Sequence, residues 1–464
     1  MKHFERKIFF LDLLAINLAW IVYYYFRVES AVIEYAIKPD LLLPMVVMYC
    51  FWLAIFFFWG MYRPWHVHSR VDEFMAVLKS VTVGCLIIFF VFFFNDDYAG
   101  QFSTSRMLIF VYWGYVVGFV GGGRVIYRSI RRKFLASGIG LRNALIVGWN
   151  AKAKELYDLV EQYPDQGGYR VVGFVKLDKK ISKANYHNAS VLGTLQELPN
   201  IIQQHNVRDI LIALESSDHE RLLEIIDLCD GRDVSLKIIP DMYDIISGQA
   251  RTNQIYGFPL IEIMPHIMQP WEESAKRLVD IVVSLIVLTI TFPLWFFIGI
   301  AIKIDSKGPV VYSQERVGKD GKIFKMHKFR SMRFDAEAAT GPVWAPKKDT
   351  RVTKIGRILR NTRLDEIPQF INVLDGDMSL VGPRPERPFF VEKLAKEIPL
   401  YKRRLKVRPG ITGCAQIKQG YDQTIDDVRS KVRYDLFYIE NMSFRMDIKI
   451  LLITFYVMIT GKGN

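Results

Sequence analysis

The chain has 464 residues, which at roughly 150 residues per domain indicates about three structural units. Its hydrophobic fraction of 51% and aromatic fraction of 14% exclude a disordered chain and a purely water-soluble one, because so much apolar surface needs a non-aqueous environment. The net charge of +13 favours a partner with negative charge, whether phospholipid, nucleotide or nucleic acid. Four cysteines without a C-x-x-C pair indicate neither a zinc site nor a disulfide framework.

Four apolar segments open the chain, each near the ~20 residues that cross the core of a bilayer. We predict transmembrane helices at 8–26, 41–60, 74–94 and 107–125. Lysine and arginine cluster before the first segment and after the fourth, so the positive-inside rule places both ends of this region in the cytoplasm. The sequence therefore predicts a four-helix transmembrane bundle within residues 1–130.

The pattern changes from Asn143 onward, where short apolar runs alternate with helical stretches. We predict strands at 144–148, 169–175, 209–214 and 235–239, and helices at 151–163 and 219–229. This alternation predicts a Rossmann-like α/β domain with a mainly parallel sheet across 143–250. The G-x-G-x-x-G glycines are missing after the first strand, which favours a structural or regulatory domain over a catalytic NAD domain.

A fifth apolar segment, 278–304, precedes a C-terminal region rich in lysine and arginine. A full span here would place that region outside the cell, away from the nucleotide substrate that its cations favour. Pro293 lies near the middle of the segment, where proline deletes a backbone hydrogen bond and kinks a helix. We therefore predict a re-entrant membrane helix that enters and leaves on the cytoplasmic face, with an ordinary span and a tolerated proline as the alternative.

Two adjacent carboxylates, Asp365 and Glu366, are followed by Pro368 and an apolar run. Because proline fits only the first turn of a helix, the acids should lie at or just before a helix N-terminus. The helix dipole there stabilises an ionised, nucleophilic carboxylate and can also hold a phosphate. The alternative is that Asp365 merely caps the helix.

Nearby cations favour chemistry over capping. Lys328 and Arg330 flank a phenylalanine, and Arg384 is fixed between two prolines. A guanidinium presented in this way matches phosphate oxygens at two points. Together with the carboxylates, these cations are typical of a phosphoryl-transfer site. The D-x-D pattern at 375–377 is interpreted as a helix stop rather than a metal site, and the eight histidines lack metal-ligand spacing.

Five motifs resemble those of the bacterial polyprenyl-phosphate hexose-1-phosphate transferases, the monotopic phosphoglycosyl transferases. The motifs are KRLVD at 276–280, KFRSM at 328–332, LDEIPQ at 364–369, GDMSLVGPRP at 376–385 and RPGITG at 408–413. The resemblance covers roughly Lys276 to the C-terminus, and the preceding helices and α/β domain look like the long form of that family.

The resemblance implies that a hexose 1-phosphate passes from a UDP-sugar to undecaprenyl phosphate, with Mg²⁺ and release of UMP. It implies that Asp365 is the nucleophile of an aspartyl-phosphosugar intermediate and that Glu366 is its catalytic partner and Mg²⁺ ligand. Lys328, Arg330 and Arg384 are implied to bind substrate. Pro293 is implied to break the re-entrant helix, although Phe292 stands where the family often has serine.

The resemblance also implies a multi-pass protein of the bacterial inner (cytoplasmic) membrane, in contact with phospholipid and without nucleic acid as a partner. The re-entrant helix and a small, mainly α catalytic domain at the membrane interface occupy 271–464, facing the cytoplasm. This reaction is the initiating step of exopolysaccharide, capsule or O-antigen synthesis.

The sugar, whether glucose, galactose or an N-acetylhexose, stays open, as do the pathway, the role of the α/β domain and homo-oligomer formation. Two other functions are weighed. A nucleotide-sugar dehydratase would need a glycine-rich cofactor loop, which is absent. A non-enzymatic regulator of polysaccharide export would leave the polar C-terminal third unexplained.

Overall fold

The computed structural model describes most of the chain in two compact units, Met1–Pro265 and His266–Asn464. The described residues are 3–29, 40–62, 70–93, 102–177, 184–214, 218–229, 232, 234–239, 260–263, 268–333, 351–398, 400–418 and 425–460.

The N-terminal unit opens with apolar helices that coincide with the four predicted segments. They are α1 (His3–Glu29), α2 (Leu42–Phe58), α3 (Arg70–Phe93), α4 (Phe102–Val116) and α5 (Gly122–Ala136), with a π-helical turn (Val117–Gly121) joining the last two. Arg6–Glu29, Arg70–Val91 and Leu108–Ala136 are long and apolar enough to cross a membrane, whereas α2 is apolar but shorter. The prediction of four apolar helices in this region is confirmed.

A buried ion-pair network joins three of these helices. The Arg124 guanidinium of α5 contacts the Asp12 carboxylate of α1, and its Nη1 donates to Glu73 Oε1 of α3 at 2.7 Å. Arg124 and Asp12 are almost fully buried. Because an unpaired charge is very costly in apolar surroundings, this pairing fixes the mutual register of α1, α3 and α5.

A seven-stranded sheet follows, in the order β3-β4-β2-β1-β5-β6-β7. Its strands are β1 (Arg142–Val147), β2 (Tyr169–Lys176), β3 (Asn185–Tyr186), β4 (Ala189–Thr194), β5 (Asp209–Ile212), β6 (Ser235–Ile238) and β7 (Ile261–Ile263). The five central strands pair in parallel, and β3 and β7 pair antiparallel at the edges. Helices α6 (Ala151–Gln162), α7 (Pro164–Gly167), α8 (Leu198–Gln204) and α9 (His219–Cys229) connect them. All four predicted strands are present, because their apolar runs are buried.

The turn between β1 and α6 packs against the Ala213 backbone and is held by the Asn150 side chain. Gly148 has a φ of 130°, and a Cβ there would lie 2.8 Å from the Ala213 carbonyl oxygen. Asn150 Oδ1 accepts a hydrogen bond from Ala153 N at 2.8 Å, and its Nδ2 donates to Ala213 O at 2.9 Å. Asn150 thus accepts a hydrogen bond from an amide at the N-terminus of α6. In glycine-rich turns, amides at this position bind the phosphates of a dinucleotide instead.

The C-terminal unit begins with the long helix α10 (Pro270–Asp305). The remaining elements are β8 (Val311–Val317), β9 (Ile323–Phe329), α11 (Lys354–Asn361), α12 (Gln369–Asp375), β10 (Ser379–Val381), α13 (Pro388–Glu397), β11 (Gly410–Thr412), α14 (Cys414–Lys418), α15 (Ile425–Glu440) and α16 (Phe444–Thr460). β8 and β9 form an antiparallel hairpin, and β10 pairs in parallel with β11. The unit is mainly helical.

Helix α10 is apolar enough to cross a membrane and remains helical through Pro293. Its 36 residues correspond to roughly 54 Å, longer than a bilayer core of about 30 Å. Two residues before the proline, the Thr291 hydroxyl donates to the Val287 carbonyl oxygen at 2.7 Å. The helix is therefore continuous at Pro293, and its re-entrant course stays a prediction.

Candidate active site

The two predicted carboxylates lie in a single tight turn between α11 and α12. Arg363 adopts a left-handed conformation with a φ of 56°, and the 3₁₀ turn Leu364–Glu366 follows it. Pro368 then caps α12. The acids therefore precede the helix that Pro368 begins, as the sequence predicts, and Gly376 ends that helix with a φ of 90°. The interpretation of 375–377 as a helix stop is confirmed.

Glu366 is the acceptor for two cations. Its Oε1 accepts from Lys328 Nζ at 3.2 Å and from Arg384 Nη2 at 3.3 Å. Burial alone would raise the pKa of Glu366, but Lys328 and Arg384 outweigh it and lower the pKa to about 2. Glu366 therefore stays ionised across the physiological pH range and holds the two cations together.

Asp365 has the opposite environment. Its side chain is 7% exposed, and its carboxylate accepts no hydrogen bond from the part of the chain that the structure describes. Burial raises the pKa of Asp365, and adjacent Glu366 adds to the effect while Lys328 opposes it. An anion that is little stabilised by its surroundings is suited to a reaction that removes its charge. Carboxylates whose pKa values are pushed apart in this way commonly serve different roles.

Lys328 and Arg384 reach Glu366 from separate elements. Lys328 lies on β9, and burial lowers its pKa, although Glu366 favours the ammonium form. Arg384 follows β10, and its carbonyl oxygen accepts from Arg404 Nη2 at 3.2 Å. Burial lowers the pKa of Arg384, but Glu366, Glu386 and Asp365 together outweigh burial and raise it. The side chains of β9 and of the segment after β10 therefore meet at Glu366 Oε1 in the carboxylate turn.

Arg330 lies apart from this group in its described contacts. Its Nη2 donates to the Ser306 carbonyl oxygen at 2.7 Å, just beyond the end of α10. The side chain is 4% exposed, and Nε and Nη1 have no partner among the residues that the structure describes. The structure does not bring Arg330 onto Glu366, and its role in substrate binding stays a prediction.

Two further cations near the site are missing from the sequence interpretation. Arg360 lowers the pKa of Asp365, against the larger opposite effect of burial, and its Nε donates to Ser331 Oγ at 2.9 Å. Arg316 on β8 donates from Nη1 to the Pro385 carbonyl oxygen at 3.0 Å. The signal for Arg360 is the basic spacing along α11, where Lys354, Arg357 and Arg360 recur every third residue.

The donor set fits Mg²⁺ only together with a phosphate-bearing substrate. In the described ranges there is no group of three or more histidine, cysteine or acidic side chains that could hold a metal. Mg²⁺, however, is commonly bound by one or two carboxylates plus substrate phosphate oxygens and water. Glu366, the predicted Mg²⁺ ligand, supplies one carboxylate of this kind beside the predicted nucleophile Asp365. His327 belongs to no metal-holding group among the described residues; its Nδ1 lies 2.9 Å from Ser313 Oγ on the neighbouring strand.

Comparison with known proteins assigns families to two parts of the chain. A family model described as bacterial sugar transferase matches residues 271–461, and one described as CoA-binding domain matches residues 58–240. The first match contains the carboxylate turn and all three predicted cations.

Three curated relatives span different extents of the chain. The UDP-glucose:undecaprenyl-phosphate glucose-1-phosphate transferase of Klebsiella pneumoniae is 33% identical over 87% of this chain and 85% of its own length. The UDP-N-acetylgalactosamine-undecaprenyl-phosphate N-acetylgalactosaminephosphotransferase of Aeromonas hydrophila is 40% identical over 48% of this chain and 52% of its own length. A putative undecaprenyl-phosphate N-acetylgalactosaminyl 1-phosphate transferase of Bacillus subtilis is 48% identical over 34% of this chain and 86% of its own length.

Proposed function

Because this chain belongs to the bacterial polyprenyl-phosphate hexose-1-phosphate transferase family, we propose that it transfers a hexose 1-phosphate from a UDP-sugar to undecaprenyl phosphate, releasing UMP. The proposal rests mainly on one observation: two adjacent carboxylates have contrasting surroundings. Glu366 is bound by two cations, whereas adjacent Asp365 is buried without a hydrogen-bond partner among the described residues.

The reaction proceeds in two displacements at phosphorus. In the first, an Asp365 carboxylate oxygen attacks the sugar-bearing phosphorus of the UDP-sugar. The bond from that phosphorus to the bridging oxygen breaks, and UMP leaves with the electron pair. In the second, a phosphate oxygen of undecaprenyl phosphate attacks the same phosphorus, and the Asp365 carboxylate is released. Neither displacement requires a proton from the protein.

The remaining residues bind and orient. Lys328 and Arg384 neutralise negative charge on the diphosphate, and Glu366 fixes both cations beside the nucleophile. Mg²⁺ held by Glu366 would supply further charge neutralisation at the diphosphate. Asp365, which lacks the direct cation contacts of Glu366, keeps the more basic carboxylate for attack.

A reaction in two displacements suits a water-soluble donor and an acceptor that lies in the membrane. A soluble donor reacts and its UMP departs before the lipid acceptor enters, so one site serves both. Such a site must lie at a membrane surface, and α10 provides an apolar helix that leads into it. We place the catalytic unit at the cytoplasmic face of the inner membrane because UDP-sugars are cytoplasmic and because basic residues flank the apolar segments. The pathway is polysaccharide initiation.

A UMP-release assay tests the proposed function. Purified full-length protein in lipid nanodiscs is incubated with undecaprenyl phosphate, Mg²⁺ and each of several UDP-sugars. We expect UMP release with at least one donor and its loss, by a factor of 10³ or more, in Asp365→Asn. The matched control is Asp375→Asn, an exposed carboxylate at the end of α12, which should retain activity. Wild-type protein that releases no UMP with any donor, or active Asp365→Asn protein, would contradict the proposal.

A further inference from the structure

Helix α10 does more than lead into the catalytic unit, because its first turns contact both segments that form the site. Lys276, Arg277 and Asp280 lie within five residues on α10. Lys276 and Asp280 are one turn apart and therefore share a face of the helix. Their partners are β10, which precedes Arg384 in the chain, and the end of α12, which follows Glu366.

The contacts with β10 involve all three of its residues. Asp280 Oδ1 accepts from Ser379 Oγ at 3.1 Å and from Leu380 N at 2.9 Å. Lys276 Nζ donates to the Val381 carbonyl oxygen at 2.8 Å. Asp280 is 2% exposed, so these bonds are made away from water and their loss would leave buried groups unsatisfied.

The segment between β10 and Arg384 is tightly constrained. Gly382 N donates to the Thr412 carbonyl oxygen at 2.9 Å, and a Cβ on Gly382 would lie 2.4 Å from the Arg408 carbonyl oxygen. Pro383 then fixes the backbone ahead of Arg384. A shift of β10 is therefore transmitted to Arg384, whose guanidinium contacts Glu366.

Arg277 holds the other segment. Its Nη1 donates to the Val373 carbonyl oxygen at 2.5 Å, and its Nη2 donates to the Leu374 carbonyl oxygen at 2.8 Å. These carbonyls belong to the last turn of α12, where helix carbonyls lack partners within the helix. Because α12 begins three residues after Glu366, one arginine on α10 anchors the helix that follows the carboxylates.

We propose that Lys276, Arg277 and Asp280 are positioning residues through which helix α10 sets the placement of Arg384 against Glu366. The inference rests on the proposed function, since it assigns these residues to the transfer reaction. The helix that enters the membrane thus also aligns the site, and the alignment passes through hydrogen bonds rather than through apolar packing alone.

A double-mutant cycle between Asp280 and Arg384 tests the inference in full-length protein. We expect Asp280→Ala to lower kcat/KM by about 10- to 100-fold, as misplacement of a catalytic group by about 1 Å does. If Asp280 acts through Arg384, adding Asp280→Ala to Arg384→Gln should change kcat/KM by less than about threefold. Multiplication of the two single effects in the double variant would overturn the inference.

The split between kcat and KM supplies a readout that a purely structural role would not move. Arg384 Nη2 lies 3.3 Å from Glu366 Oε1, beside the proposed nucleophile Asp365, so a displaced Arg384 should weaken charge neutralisation at the reacting diphosphate. We therefore expect Asp280→Ala and Arg384→Gln to show the same split between kcat and KM, with no further change in the double variant. An Asp280→Ala protein whose kcat and KM per folded enzyme match those of the wild type would contradict positioning.

Conservative variants keep the test decisive if Asp280→Ala fails to fold. Asp280→Asn retains a carbonyl acceptor and should restore most of the activity. Ser379→Ala removes one of the two bonds to Asp280 and should lower kcat/KM by less than Asp280→Ala does. Leu278→Ala, an exposed position on the same helix, is the matched control and should be unchanged. Wild-type kinetics in Ser379→Ala would count against the inference. Absence of UMP release from wild-type protein would refute the proposed function instead.

Discussion

The ionised state of Glu366 should make a measurable contribution to stability. Lowering its pKa from an ordinary 4.5 to about 2 corresponds to about 3 kcal/mol of preference for the ionised form in the folded protein. The Glu366 side chain is 12% exposed, so screening by solvent is limited. Glu366→Gln should remove this contribution and leave Lys328 without its buried partner. For a unit of about 200 residues, about 3 kcal/mol corresponds to a Tm lower by roughly 6–12 °C.

Thermal unfolding in one detergent, measured from pH 7 down to pH 2, checks this expectation. A carboxylate with a lowered pKa stabilises the folded state above its unfolded pKa, and the stabilisation is lost as the pH falls toward the folded value. The Tm difference between wild type and Glu366→Gln should therefore be full at pH 7 and shrink between about 4.5 and 2. The control is Asp426→Asn, which breaks an ion pair between Arg429 and Asp426 whose side chains are 54% and 86% exposed, and it should lower stability by less than about 1 kcal/mol. Equal Tm values for wild type and Glu366→Gln at pH 7 would refute the reasoning.

Three further predictions concern catalysis and packing. Removal of divalent cations with EDTA should abolish UMP release and added Mg²⁺ should restore it; full activity in EDTA would contradict carboxylate-bound Mg²⁺. Because the pKa of Asp365 is raised by burial, kcat/KM should fall on the acid side at a pH above the ordinary 3.8, and a flat profile down to that value would argue against an ionised Asp365. Gly356→Ala places a Cβ 2.0 Å from the Ser331 carbonyl oxygen, so the folded yield or Tm should drop clearly; an unchanged Tm would show that α11 can move away.

Local patterns in the sequence predict much of the fold. The apolar runs of β1, β2, β5 and β6 indicate buried parallel strands, and the structure places them as neighbours in one sheet. Strands β3, β4 and β7 are absent from the prediction, because their short or half-exposed sequences lack a continuous apolar run. The proline and glycine that bound α12 predict both ends of that helix, since each acts through its own backbone conformation.

The site is less predictable, because convergence of side chains depends on tertiary contacts. The sequence indicates the carboxylate turn and the cations, and the structure brings Lys328 and Arg384 to Glu366. It places Arg330 on the carbonyl of Ser306 instead. Lys328 and Arg330 are two residues apart, so their spacing alone does not predict that they contact different groups. Lys328 lies on β9, whereas Arg330 follows the last residue of that strand.

Covalent labelling tests the two-step reaction most directly. Protein in nanodiscs that lack undecaprenyl phosphate is incubated with a UDP-sugar labelled at the sugar-bearing phosphorus, then quenched under conditions that preserve acyl phosphates. The account predicts one equivalent of UMP per active site and label on the peptide that contains Asp365, which added undecaprenyl phosphate then removes. Active protein that carries no label on that peptide, with UMP released only when both substrates are present, would contradict it.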